Sequence, residues 1–226
     1  MAGRCSEDNT EGGAMADAGP RSIPVRNPRT GGTDFDLQVA GPADVAGKAV
    51  RLRANQKAWA ALGLAGRSAV MARWLGEVKK RAAAIAEADA EDTGGCHTSY
   101  LQGFITMGNI GGWLEDASGA LAKATYSGPS KAVPSVEVRT QFVPYPLCGV
   151  ISPWNAPMML ALLDAVPALF AGCAVLLKPS EVTPRFTTPL FETVRAVPEL
   201  AAVFDFVTGD AETGKAVIDN ADVLCF

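Results

Sequence analysis

From Leu147 onward the chain repeats one pattern: a short apolar run, a turn, a helix-forming stretch, then another apolar run. Leu147–Ile151, Ala174–Lys178 and Phe204–Thr208 read as strands, and Val223–Phe226 as the start of a fourth. Between them, Pro157–Ala171 reads as a helix interrupted at Pro167, and Pro184–Ala196 as a helix with Pro184 in its first turn. Glu212–Asp219 reads as a short helix. Strands that are apolar on both faces and alternate with helices are accommodated by a parallel sheet covered on both sides. The pattern predicts an α/β fold whose parallel sheet is still incomplete at Phe226.

The segment before Leu147 is mostly helical in composition. Ala43–Ala61 reads as one helix with Trp59 on its apolar side. Val70, Met71, Trp74, Leu75, Val78, Ala82 and Ile85 recur at three- and four-residue steps, the face of a second helix that Gly94-Gly95 would end. A third is expected from His97 to Ala124, with Tyr100, Leu101, Phe104 and Ile105 facing inward. Val133–Pro144 then changes to a period of two and reads as a strand, Val136 and Val138 alternating with Glu137 and Arg139. Ile23–Pro28 is expected to be extended because prolines disfavour helix in the residues before them. Residues 1–21, rich in Gly, Ala, Ser and acid, read as a disordered tail.

Composition removes several classes of function. A net charge of -4 argues against a nucleic-acid partner. One histidine, His97, leaves little for a multi-His metal site or a Ser-His-Asp triad, so no metal is expected. Five cysteines without C-x-x-C spacing fit a reducing compartment better than a disulfide framework. Cys148 and Cys173 read as inert buried thiols, and Cys225 has no base nearby in sequence. The long uncharged stretches Thr140–Leu163 and Thr93–Leu114 are broken by prolines or glycines and make no convincing membrane span. With no apolar signal segment at the start, the expectation is a soluble cytoplasmic protein.

Chemistry is expected beyond the carboxyl ends of the strands, where open α/β sheets bind ligands. After the first strand, Ser152-Pro153-Trp154-Asn155-Ala156-Pro157 holds an amide between two prolines at a helix N-terminus. Asn155 is then either a preorganised donor to a developing oxyanion or an ordinary N-cap. After the second, Lys178-Pro179-Ser180-Glu181 sets a cation and a carboxylate three residues apart, a grip for ribose hydroxyls or a surface ion pair. After the third, Gly209-Asp210-Ala211-Glu212-Thr213-Gly214-Lys215-Ala216 fits a G-x-A-x-x-G fingerprint, a P-loop lacking its Mg²⁺-binding hydroxyl, or a plain turn.

Taken together, Gly149-Val150-Ile151-Ser152-Pro153-Trp154-Asn155-Ala156-Pro157 and Gly172-Cys173-Ala174-Val175-Leu176-Leu177-Lys178-Pro179-Ser180-Glu181-Val182-Thr183-Pro184 closely resemble the aldehyde dehydrogenase superfamily. Pro167-Ala168-Leu169 between them fits as well, and Glu91-Asp92-Thr93-Gly94 resembles the family's D-T-G-K stretch with Gly95 in place of the lysine. The resemblance implies a Rossmann-like sheet and NAD(P)-dependent oxidation of a small-molecule aldehyde to a carboxylic acid. It implies Asn155 as oxyanion donor and Lys178 and Glu181 at the adenine ribose, with Lys178 and Ser180 the cofactor-binding residues that would accommodate NADP. Ile151, Ser152, Pro153 and Trp154 would line the cofactor cleft, with Gly209 near the adenine end. Glu181 favours NAD, with NADP also accommodated. The 133–144 strand resembles the family's oligomerisation segment, implying a homo-oligomer when full length.

The resemblance also marks what these residues lack. The family's T-G-S turn, catalytic glutamate and catalytic cysteine follow the strand that here reaches Phe226, and none of Cys148, Cys173 or Cys225 stands at the nucleophile's place. Residues 22–226 are thus expected to be the N-terminal part of an NAD(P)-binding domain, without the catalytic domain and inactive alone. The alternative is a non-catalytic remnant that binds a nucleotide or pairs with a full-length relative.

Overall fold

The computed structural model describes residues 21–226, so all of the expected 1–21 tail except Arg21 lies outside the described residues. The N-terminal part begins with an antiparallel hairpin of β1 (Ser22–Arg26) and β2 (Thr33–Gln38). Asn27 closes its turn, its Oδ1 accepting from the backbone N–H groups of Arg29 and Thr30. Four helices follow: α1 (Pro42–Ala61), α2 (Gly63–Lys80), α3 (Ala82–Thr93) and α4 (Cys96–Ala124). A small ribbon of β3 (Ser127–Pro129) and β4 (Glu137–Arg139) then leads into the α/β part. There β5 (Leu147–Ile151), α5 (Pro157–Ala171), β6 (Ala174–Lys178), α6 (Thr187–Arg195), α7 (Pro198–Ala201), β7 (Phe204–Phe206), α8 (Ala211–Asn220) and β8 (Val223–Cys225) take turns. The strands pair in the order β7-β6-β5-β8, every neighbour parallel.

Burial explains the pairing. All five residues of β6 are buried, as are the first four of β5, so the centre of the sheet must be covered on both faces. The helices before the sheet help to cover it by answering polar groups that α5 leaves open. Gln56 Nε2 donates to Gly172 O at 2.8 Å, Trp59 Nε1 to Leu169 O at 3.0 Å and Arg67 Nε to Phe170 O at 3.0 Å. The last carbonyls of a helix have no partner within it, so these three side chains both cap α5 and dock α1 and α2. Gly172 itself ends α5 at φ 104, a conformation that glycine accepts without strain. Farther along α2, Trp74 is fully buried, donates to Thr193 Oγ1 at 2.9 Å and meets Phe204 edge-on.

Several expectations are corrected. Helix α5 runs uninterrupted through Pro167; the lost hydrogen bond falls on the carbonyl of Leu163, an exposed residue, where water can replace it. Helix α6 begins at Thr187, because Pro184 and Arg185 form a tight turn that receives the N–H groups of Thr187 and Thr188. The second predicted helix breaks at Arg81 into α2 and α3, although Gly94 does end α3 at φ 73. The expected 133–144 strand contracts to Glu137–Arg139, since β3 offers only three residues to pair with. Helix α4 is rotated from its expected orientation: Tyr100, Leu101, Phe104 and Ile105 are exposed, Phe104 by 71%, while Ser99, Gln102 and Thr106 turn inward. Asp89 on α3 faces the inward side of α4 through Ser99. Its fully buried carboxyl, pushed upward in pKa by burial, needs the hydroxyl of Ser99, which donates to it at 2.5 Å. Asp89 Oδ1, the Gln102 amide and Thr106 Oγ1 on the same buried side find no partner among the described residues.

Candidate functional site

The parallel order brings the turns after β5, β6 and β7 to one edge of the sheet. Backbone hydrogen bonds hold them there: Ser152 N–H to Lys178 O at 3.1 Å, and Val207 N–H to Leu177 O at 2.9 Å. Thr183 Oγ1 donates to Trp154 O at 3.2 Å, tying the first turn to the second. Ile151, Ser152, Pro153, Trp154 and Asn155 thus stand beside Lys178, Pro179, Ser180 and Glu181, with Gly209 on the neighbouring turn.

Lys178 is 4% exposed at the last position of β6, and its ammonium meets Glu181 Oε2 at 2.9 Å. The Glu181 side chain remains 41% exposed. Burial pushes its carboxyl up, but the hydrogen bond and charge of Lys178 and its own backbone N–H outweigh that, so it lies below the usual range. Ser152 Oγ is buried and has no hydrogen-bond partner among the described residues. The Lys178–Glu181 pair, with Glu181 partly open to solvent, offers a donor and an acceptor side by side, chemistry that fits a polyhydroxyl ligand such as a dinucleotide's ribose. Ser180 Oγ accepts from Val182 N–H and shapes the turn. Trp154 is 61% exposed. Asn155 is exposed and does not cap α5: the N-cap is Ala156, without a side-chain cap bond, and Pro157 takes the first helical position.

The turn after β7 is closed by its own residues. At Gly209, φ is 151, and a Cβ there would collide with Thr213 Oγ1, so only glycine fits. Asp210 caps α8, accepting from Glu212 N–H at 3.0 Å. A carboxylate fills the helix end where the fingerprint and P-loop readings require an anion from outside, and Lys215 is exposed along the helix. Those two readings find no phosphate cradle here.

Other candidates resolve simply. His97 is exposed near the start of α4. Cys148 and Cys173 are buried, and burial raises both thiols above their ordinary pKa, as inert thiols require. Among the described residues no cluster of three or more His, Cys, Asp or Glu is placed to hold a metal, and no helix is long and apolar enough to cross a membrane. An apolar cavity of about 700 Å³ lies away from the sheet edge, between α2, α4, α5 and residues 141–145. Sequence reasoning missed Arg21, whose guanidinium bridges Asp210 and Glu212 at 3.1 and 3.2 Å. It also missed Arg185, which pairs with Asp34 at 2.7 Å, stacks on Phe35 and joins the hairpin to α3 through Asp92. Partners 189 and 151 residues away leave no local signal.

The profile of the family described as "Aldehyde dehydrogenase family" matches residues 15–226. A Mycolicibacterium smegmatis protein provisionally named a succinate-semialdehyde dehydrogenase (NADP(+)) is 31% identical over 208 residues, 91% of this chain and 40% of that protein. Among solved structures, PutA of Anabaena variabilis, provisionally named an aldehyde dehydrogenase, superposes with a TM-score of 0.86 at 39% identity. That match covers 91% of this chain and 43% of PutA. The structure of an NAD-dependent benzaldehyde dehydrogenase from Corynebacterium glutamicum gives 0.73 at 28% identity, covering 88% and 43%. The chain therefore spans less than half the length of each of these relatives.

Proposed function

Because the chain belongs to the aldehyde dehydrogenase family, we propose that it supplies the dinucleotide-binding side of an NAD(P)-dependent oxidation of an aldehyde to a carboxylic acid. The observation that carries this reading is the buried Lys178 beside half-exposed Glu181 and the unanswered Ser152 hydroxyl, at the carboxyl edge of a parallel sheet. The dinucleotide, when bound, accepts the hydride.

This chain's own residues bind and orient. Lys178 Nζ donates to, and Glu181 accepts from, the adenine-ribose hydroxyls, while Ser180 keeps their turn in shape. Ile151, Ser152, Pro153 and Trp154 form one wall of the cleft, and Gly209 lies near the adenine end. Asn155, uncommitted to capping and fixed between Pro153 and Pro157, donates its amide N–H to the aldehyde oxygen as negative charge develops there. Names among the relatives include both NAD and NADP; the Glu181 carboxylate favours NAD, because a 2′-phosphate would meet like charge. The T-G-S turn, glutamate and cysteine of the family pattern are not found in their places within these 226 residues. The β3–β4 ribbon, whose connecting loop exposes Val133 and Val136, serves assembly into a homo-oligomer. A reducing cytoplasm suits Cys148 and Cys225, unbridged with sulfurs 3.8 Å apart.

Calorimetric titration of the 226-residue chain with NAD tests the reading. One saturable site, lost in Lys178→Ala, is expected; a folded chain that binds neither NAD nor NADP overturns it.

A further inference from the structure

Beside the proposed ribose site stands a charged group that the dinucleotide reading does not use. The turn after β7 is pinned by residues far back in the chain. Ala40 N–H donates to Thr208 O at 2.8 Å, Thr208 Oγ1 to Gln38 O at 2.7 Å, and Thr213 Oγ1 to Ala40 O at 2.8 Å. Val39 N–H donates to Arg21 O at 2.8 Å, so the residue that chelates Asp210 is itself anchored to the end of β2. Asp210 therefore cannot swing away from the sheet edge it shares with Glu181.

We infer that Asp210 is a second specificity carboxylate beside Glu181, favouring a ribose with a 2′-hydroxyl over one with a 2′-phosphate, and that Arg21 sets its strength. The inference rests on the dinucleotide reading above. Strands β6 and β7 are parallel neighbours, joined at their carboxyl ends by the Val207–Leu177 hydrogen bond, so their following turns adjoin. Around that edge, Glu181, Asp210 and Glu212 stand against Lys178 and Arg21, leaving one net negative charge. Asp210 remains ionised: slight burial pushes its carboxyl up, but the Glu212 N–H and Arg21 outweigh this and hold it below the usual range. Its charge reaches Glu181, where it is among the influences that push that carboxyl up. At the same carboxyl edge, the Ser152 hydroxyl after β5, 5% exposed, has no partner among the described residues, a polar group left for a ligand to answer. A neutral ribose hydroxyl is indifferent to the second carboxylate, whereas a phosphate dianion is repelled. Arg21 offsets part of that repulsion.

The test titrates the wild-type chain, Asp210→Asn, Glu181→Gln and Arg21→Gln with NAD and with NADP, at low and physiological salt. Asparagine caps helices as well as aspartate, so Asp210→Asn keeps the α8 terminus intact. Asp210→Asn is expected to tighten NADP binding about three- to tenfold, with NAD changed by less than about twofold and the gain shrinking as salt rises. Arg21→Gln is expected to weaken NADP binding relative to NAD. An unchanged NADP-to-NAD ratio in Asp210→Asn, or equal gains for both, overturns the inference. If Glu181→Gln shifts the ratio and Asp210→Asn does not, the dinucleotide reading stands and this inference falls. A wild-type chain that binds neither dinucleotide overturns both.

Discussion

Replacing Lys178 with methionine separates binding from folding. Lys178 is 4% exposed, and among the described residues its ammonium has one side-chain partner, Glu181 Oε2 at 2.9 Å. Breaking a buried ion pair is severe when the surviving charge stays buried, but the Glu181 side chain is 41% exposed and can rehydrate. Screening at that exposure limits the pair to about 1 kcal/mol. Against this stands the desolvation of the lysine, which methionine avoids while filling nearly the same volume. The net change in unfolding free energy is therefore expected within about 1.5 kcal/mol of zero, of either sign. Dinucleotide binding loses charge-assisted hydrogen bonds worth about 1.5–3 kcal/mol each, a weakening of at least tenfold. Urea denaturation and NAD calorimetry on the same samples read both quantities. A loss of more than about 3 kcal/mol of stability, or undiminished NAD affinity, refutes the assignment of Lys178 to ligand rather than fold.

Three further outcomes are expected. In Gly149→Ala the new Cβ would meet Ala221 Cβ, Leu224 Cδ1 and Val217 Cγ1, each at 3.0 Å; overpacking of β5 should cost about 1–3 kcal/mol, and an unchanged urea midpoint contradicts it. Burial raises the Asp92 carboxyl to about 6 against the opposing N–H and charge of Arg185. Its folded state thus favours the protonated form, so this group's contribution to stability declines as pH rises from about 4 to about 6 and then levels off. Asp92→Asn should gain on the order of 3 kcal/mol over wild type at pH 7.5, with the gain shrinking as pH falls from 6 towards 4; a pH-independent difference refutes this. The exposed face of α4, with Leu101 and Phe104, should make the 226-residue chain self-associate. Light scattering should show less association in Leu101→Ser/Phe104→Ser, and equal scattering from both contradicts the reading.

What was legible in the sequence follows from how local each signal is. The strands at Leu147–Ile151 and Ala174–Lys178 appear with the bounds read from their apolar runs, because a strand buried on both faces leaves no doubt in composition. The turns at Ser152–Asn155 and Lys178–Glu181 were legible for the same reason, each being contiguous and set at a strand end. The orientation of α4 was not. Tyr100, Leu101, Phe104 and Ile105 make as good an apolar stripe as any, yet the face turned inward carries Ser99, Gln102 and Thr106, with Ser99 bonded to the buried Asp89 carboxyl of α3. Strand β2 went unnoticed, although Phe35 and Leu37 alternate with aspartates in Thr33–Gln38. The roles of Arg21 and Arg185 depend on residues brought close only by the fold, and the unanswered Ser152 hydroxyl exists only as a consequence of packing.

The central claim is that the carboxyl edge of β5, β6 and β7 is where this chain meets a dinucleotide. Amide chemical-shift mapping of the ¹⁵N-labelled 226-residue chain during titration with NAD tests it most directly. Saturable shifts concentrated at Ile151–Asn155, Lys178–Glu181 and Gly209–Thr213 are predicted. Shifts centred instead on the apolar cavity at Trp113, Phe170 and Tyr145, or none at all from a folded chain, would contradict the account.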